Sequence, residues 1–137
     1  MKFLVSLLFL IVVFISSSIV GQQKTITVTI ENISSDDGSV GFALYNKELF
    51  MKKPIQAKST LIKNGKIIVK FKNITNGEYS IICYHDKNNN KQMDFNSNGM
   101  PLEDYGSSNN KMSYGPPNFE DSKFLVKDKN VSLIIKF

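Results

Sequence analysis

The clearest chemical pattern in this chain is the run His85-Asp86-Lys87-Asn88-Asn89-Asn90-Lys91-Gln92-Met93-Asp94. Asp86, Asn88, Asn90 and Asp94 set oxygens at the first, third, fifth and ninth places, where a calcium loop puts its ligands, and Gln92 would add its backbone carbonyl at the seventh. A hard divalent cation takes many oxygens in flexible geometry, and alternate residues of a tightly wound loop can turn toward one centre. Two places depart from a helix-flanked EF-hand. Lys91 stands where a glycine usually allows the sharp turn, and Ser97 where a glutamate usually closes the sphere. The missing carboxylate is expected from downstream, from Glu103 or Asp104. With two or three carboxylates, the expected calcium affinity is weak, on the order of 10⁻⁴ to 10⁻³ M. The alternative is an Asx-rich turn whose side chains bond only backbone amides.

Other reactive side chains are sparse. The chain has one histidine and one cysteine. His85 and Cys83 stand two residues apart, a spacing that suits a zinc or copper pair, yet no second pair completes a tetrahedral site. Side chains two apart on a strand also sit too far from each other for nucleophile activation. A buried Cys83 and a loop-anchoring His85 is the plainer expectation. Carboxylates recur at Asp94, Glu103, Asp104, Glu120 and Asp121, and a glycosidase needs two at suitable separation. The aromatics Tyr105, Tyr114 and Phe119 would stack on a sugar or pack the loop down; with His85 they form the candidate ligand surface. A carbohydrate-active hydrolase or glycan-binding module is therefore the alternative to a non-enzymatic protein.

These residues need a scaffold, and the rest of the chain reads as β-strands. Thr25 to Ile33 alternates Ile26, Val28 and Ile30 with threonines, a period of two with one wet face. Ser39 to Asn46 follows a Ser-Ser-Asp-Asp-Gly turn with Val40, Phe42 and Leu44 inward, so these two strands are expected to form a hairpin. Ala57–Lys63 and Lys66–Lys72 flank Asn64-Gly65, the strongest short hairpin signal in the chain. Leu49, Phe50 and Met51 in the connection before them are expected over a sheet end. Glu78 to His85 is apolar on both faces, hence a central strand, and it runs straight into the Asp86 loop. Ser122–Lys127 and Asn130–Phe137 close the chain, and no helical period of useful length occurs. Between them, residues 86–121 are rich in Asn, Gly, Ser and Pro, and so long a loop in a small domain is usually functional or held by something. Phe119, after Gly115-Pro116-Pro117, is expected to plug the core. The fold class expected is all-β, an antiparallel seven-stranded Greek-key β-sandwich, immunoglobulin-like or prealbumin-like, with one long ordered loop.

The first 21 of the 137 residues read as a signal peptide: Met1-Lys2, an apolar run from Phe3 to Ile15, then serines and small residues up to Gly21. Residues 22–137 then form one exported domain with no stable membrane span after cleavage, in the periplasm or secreted. The alternative is an uncleaved anchor, since the run through Val20 approaches the roughly 18 residues of a span. The net charge of +5 comes from 17 basic residues that are all lysine and scattered. Without arginine forks or a cluster, nucleic acid is not the expected partner. An envelope or extracellular protein or glycan is. One cysteine excludes an internal disulfide, so a bound ion would serve as the staple that a small exported domain otherwise lacks.

Four blocks in order resemble a bacterial family, the domain of unknown function 2141: His85-Asp86-Lys87-Asn88-Asn89-Asn90 with Asp94, Gly99-Met100-Pro101-Leu102-Glu103-Asp104-Tyr105-Gly106, Ser108-Asn109-Asn110, and Gly115-Pro116-Pro117-Asn118-Phe119-Glu120-Asp121. Lys91 replaces a frequent glycine and Ser122 a frequent alanine. The resemblance implies an exported β-sandwich and brings no known activity.

Overall fold

The computed structural model describes residues 21–111 and 115–137. Eight strands carry the fold: β1 Lys24–Ile30, β2 Ser39–Tyr45, β3 Gln56–Leu61, β4 Ile67–Ile74, β5 Gly77–Asp86, β6 Tyr105–Ser107, β7 Phe124–Val126 and β8 Val131–Ile135. A 3-10 turn covers Ser108–Asn110, and a single helical turn, α1, covers Phe119–Ser122. The expected signal peptide and Tyr114 lie outside the described residues. Among the described residues no helix is long and apolar enough to cross a membrane.

The strands form two sheets, ordered β4-β1-β8 and β3-β2-β5-β6, with β7 pairing the first residues of β5. The inward sets of both sheets meet in one cluster: Ile26, Val28, Ile30, Val69 and Phe71 from one, Val40, Phe42, Leu44, Ile81 and Cys83 from the other. Each fully buried aliphatic or aromatic side chain contributes about 1.5–3 kcal/mol relative to exposure. Lys58 lies on the inward side of β3, opposite Phe42, and lays its stem along the core edge with Nζ 5.9 Å from the Phe71 ring centre.

Three expectations are corrected. β1 and β2 do not form a hairpin; they lie in different sheets, joined by a connection over residues 31–38. The same holds for β3 and β4. The Asn64-Gly65 turn forms, with φ of 53° and 67° and a Lys63–Lys66 bridge, but its flanking strands part at once into separate sheets. In both pairs the apolar alternation is satisfied by facing across the core instead of lying side by side. Finally, the described residues form eight strands in place of seven, and β8 runs parallel to β1, Ile26 beside Val131 through Ile30 beside Ile135.

The stretch 86–121 is also less of a loop than expected. β6 pairs Tyr105 with Tyr84 and Ser107 with Ile82. Asn110 then seals the neighbouring edge: its carboxamide donates to the Ile134 carbonyl at 2.8 Å and accepts from the Lys136 amide at 2.8 Å, as a strand residue would. At α1, Asn118 caps the Asp121 amide, and the Ser122 and Ser80 hydroxyls meet at 2.6 Å. Phe119 is buried but not in the core cluster. It packs edge-on to Phe50 at 5.7 Å, which packs on Tyr45 at 5.6 Å. Tyr45 faces away from the core beside Leu44, so the return anchor of the loop sits on the outer side of the five-stranded sheet.

Candidate functional site: the Asp86 loop

β5 ends at Asp86, and its alternation decides what its last residues do. His85 points inward and is fully buried, so it is not part of an accessible ligand surface. Its Nε2 lies 2.7 Å from the Asp37 carbonyl oxygen, which only accepts, so Nε2 carries the proton and donates. Nδ1 is buried without a partner, and the ring stacks on Phe137 with centroids 6.4 Å apart. His85 therefore ties the loop-bearing end of β5 to the β1–β2 connection. Cys83, two residues back, donates weakly to the Gly106 carbonyl at 3.5 Å, and burial pushes its thiol far up. A thiol that stays protonated and enclosed does not react. Native protein is expected to resist alkylation by iodoacetamide at pH 8, labelling only through unfolding, and fast labelling without denaturant would contradict this burial.

Asp86 begins the loop at 2 % exposure. Its two oxygens accept from the amides of Asn90 at 3.1 Å and Lys91 at 2.8 Å. Asn88 Oδ1 takes the Asn90 amide at 3.1 Å, and Asn90 Oδ1 takes the Gln92 amide at 2.9 Å. These overlapping Asx turns wind the chain as the sequence spacing requires. Lys91, at the sixth place, adopts the left-handed conformation with φ of 63°, the one usually given to glycine there. The Asn88 and Asn90 side-chain amides donate to Asp94 at 2.7 and 2.8 Å, so three of the expected ligands converge on one point.

Glu103 comes to the same place from sixteen residues downstream of Lys87 and is 7 % exposed. Oε1 accepts from the Lys87 amide and Oε2 from the Asp94 amide, each at 3.1 Å. The carboxylate thus clasps both ends of the Asp86 loop. Beyond it, Leu102 N donates to the Asp94 carbonyl, and the Asn96 side chain accepts from the Asn98 and Met100 amides, shaping residues 94–102 into a small hairpin. Asp104 faces Ser34 and pairs with Lys87 at 3.2 Å, an exposed pair that adds less than about 1 kcal/mol.

For an ion, the fit is of one kind only. Among the described residues no three His, Cys, Asp or Glu side chains gather as a metal set. A centre at this loop would therefore lean on the carboxamides of Asn88 and Asn90 with Asp86 and Asp94, and those amides would have to turn oxygen inward in place of nitrogen.

Of the carboxylates considered for glycosidase work, Glu120 and Asp121 do not assemble with Glu103. Glu120 and Asp121 sit by α1, level with Ser80, while Glu103 sits by Asp86; six strand residues separate the two levels, roughly 20 Å. That is beyond the spacing of any paired-carboxylate mechanism. Hydrogen bonds from Lys123 and Lys47 hold Glu120 below the usual carboxylate range, and those from Asn118 and Lys111 do the same to Asp121. A general acid needs the opposite direction.

Sequence reasoning passed over Tyr84, which faces outward from β5. Its phenol is raised above the ordinary tyrosine range, by partial burial first and then by the charges of Asp86, Glu103 and Asp94. It also passed over the β1–β2 connection. There Asp36 caps the amides of Asn64 at 2.9 Å and Gly65 at 2.7 Å, while Gly38, with φ of 71°, packs against the backbone of Asp86 and Lys87. Gly38 before a strand was the visible signal.

No curated protein and no solved structure matches the chain. The profile of one family, described as an uncharacterized protein conserved in bacteria (DUF2141), matches residues 28–134, a span that holds β2 to β7 whole, the later part of β1, all but the last residue of β8, the whole Asp86 loop and the Glu103 clasp. The chain belongs to that bacterial family.

Proposed function

We propose that this is an exported, non-enzymatic β-sandwich protein with Greek-key connections, whose Asp86 loop is ordered by a weakly bound calcium ion and presents a binding or structural surface in the cell envelope. The observation that carries the reading is the convergence of Asn88, Asn90 and Asp94 in a loop that winds from Asp86 and takes a left-handed turn at the sixth place. Bound there, calcium would be held by Asp86, Asn88, Asn90, Asp94 and the Gln92 carbonyl, with Glu103 bracing the loop from below. The ion supplies charge to draw these oxygens together and does no chemistry. Export rests on the apolar run Phe3 to Ile15 after Met1-Lys2 and on the serines and small residues that follow it.

Thermal melting of the mature domain tests the ion. Calcium at about 100 times its dissociation constant stabilises by about 2.7 kcal/mol, so the midpoint is expected to rise by roughly 10 °C and to fall back with chelator. Asp86→Asn and Asp94→Asn should each remove most of the shift. A midpoint indifferent to calcium leaves the loop as a set of Asx turns and sinks the reading.

A further inference from the structure

The outer face of the five-stranded sheet is closed at one end by Phe50, Phe119 and α1 and bounded at the other by the Asp86 loop. Between them one row runs across four strands: Ser59, Gly41, Tyr84 and Tyr105 are successive partners in register. All four face away from the core, because Phe42 and Cys83 beside them face into it. Tyr84 leans onto the neighbouring strand over Gly41, where a Cβ would come within 2.8 Å of its Cε1. The missing side chain at Gly41 makes room for the Cε1, Cζ and hydroxyl of Tyr84, whose ring stays partly exposed on the outer face. Tyr105 stands beside it at 40 % exposure. The next row offers only Ala57, Ala43 and Ile82 before Ser107, a low floor. Along the loop side, Ser59 Oγ donates to Ser39 Oγ and Ser39 Oγ to Asn89 Oδ1, each at 3.1 Å.

We infer that this face binds a short, uncharged, flat oligosaccharide of equatorially substituted pyranose rings laid across the strands from Ser59 to Tyr105. Such a sugar has an apolar C–H face and a rim of hydroxyls, which matches an outward aromatic ring bordered by serine, carboxamide and carboxylate oxygens. Four strands span roughly 14 Å, room for a few rings. An apolar protein partner would offer nothing to the Asn89 NH₂ or to the Ser59 Oγ lone pairs, which the Ser59–Ser39–Asn89 chain of hydrogen bonds leaves unused. An anionic glycan would lie in the field of Asp86, Asp94 and Glu103, whose charges already bear on the Tyr84 phenol. The inference deepens the reading of this region as a recognition surface but does not need the ion.

Calorimetric titration of the mature protein with cellohexaose tests it, with polygalacturonate as the anionic comparison and calcium or chelator in parallel. Saturable binding of cellohexaose is expected, with a dissociation constant on the order of 10⁻⁴ M. Tyr84→Ala should weaken it at least tenfold and Tyr105→Ala a few-fold, while Tyr84→Phe, which keeps the ring, should bind nearly as the parent and melt with it. No binding in either buffer, tighter binding of polygalacturonate, or equal binding by Tyr84→Ala would each overturn the proposal. So would a concentration-dependent dimer abolished by Tyr84→Ala, since that would give the face to a second copy. A missing calcium shift in melting defeats the ion reading alone, and missing cellohexaose binding defeats this one alone.

Discussion

Replacing Glu103 with alanine is expected to destabilise the domain by about 3 kcal/mol, measured by urea unfolding, and to release hydrogen-exchange protection at the Lys87 and Asp94 amides. The carboxylate is 7 % exposed and its two oxygens serve one backbone donor each, at opposite ends of the Asp86 loop. Hydrogen bonds to a charged acceptor contribute roughly 1.5–3 kcal/mol apiece, and truncation leaves both donors short of a partner. Part of that loss is recovered where the opened loop admits water, which is why the expected value lies near the lower sum. Glu103→Gln should lose somewhat less, since one oxygen remains while the new NH₂ faces a backbone N–H. Asp104→Ala is the comparison next door: its carboxylate is half exposed, meeting Lys87 and Ser34 at the surface, and a change below about 1 kcal/mol is expected. Equal losses at the two positions would show that the clasp is not what holds the loop.

This contrast marks how far the site could be read in advance. A carboxylate downstream of Asp94 was legible as the completion of the loop, and Glu103 does arrive there. Whether it meets an ion or two amides depends on shifts of about an ångström that spacing does not encode. His85 was expected on a ligand surface although it shares its parity along β5 with buried Ile81 and Cys83, and its side-chain tie to Asp37 depends on a connection between strands that were expected to be neighbours in one sheet. The hairpin signal at Asn64-Gly65 reported a turn correctly and its strand partners wrongly, and the one at Ser34–Gly38 marks a bent connection between sheets. A turn is a local property set by φ, whereas the choice between pairing edge to edge and facing across a core is made by the remaining strands. β6 was hidden because three residues show no period, and the parallel pairing of β8 with β1 because the partners lie about a hundred residues apart and share no local pattern. That Tyr84 lies over Gly41 is a fact of register between strands whose paired residues stand about forty positions apart in the chain.

The β1–β2 connection makes the strongest single demand on residue type, and Gly38→Ala is expected to lower stability by at least about 3 kcal/mol. Two separate terms act there. With φ of 71° the residue occupies the left-handed region, which costs an alanine roughly 1 kcal/mol whatever surrounds it. A Cβ would also overlap the Asp86 carbonyl oxygen and come within 2.8 Å of Lys87 Cα, both backbone atoms that no rotamer change can move aside. Relief means drawing residues 36–38 away from the end of β5. That withdraws the Asp37 carbonyl from His85 Nε2, leaving a buried imidazole with neither nitrogen paired, and pulls Asp36 from the amides of Asn64 and Gly65. Gly99 separates the terms. Its φ is 76°, nearly the same, but nothing lies within 4 Å of its Cβ position, so Gly99→Ala carries the conformational term alone and should cost about 1 kcal/mol. The difference between the two variants in urea midpoint then measures the close approach itself, and exchange at Asn64 and Gly65 should quicken only in Gly38→Ala. If both variants lose the same amount, the packing of the β1–β2 connection against Asp86 is not what requires glycine, and the support it lends to the loop is correspondingly small.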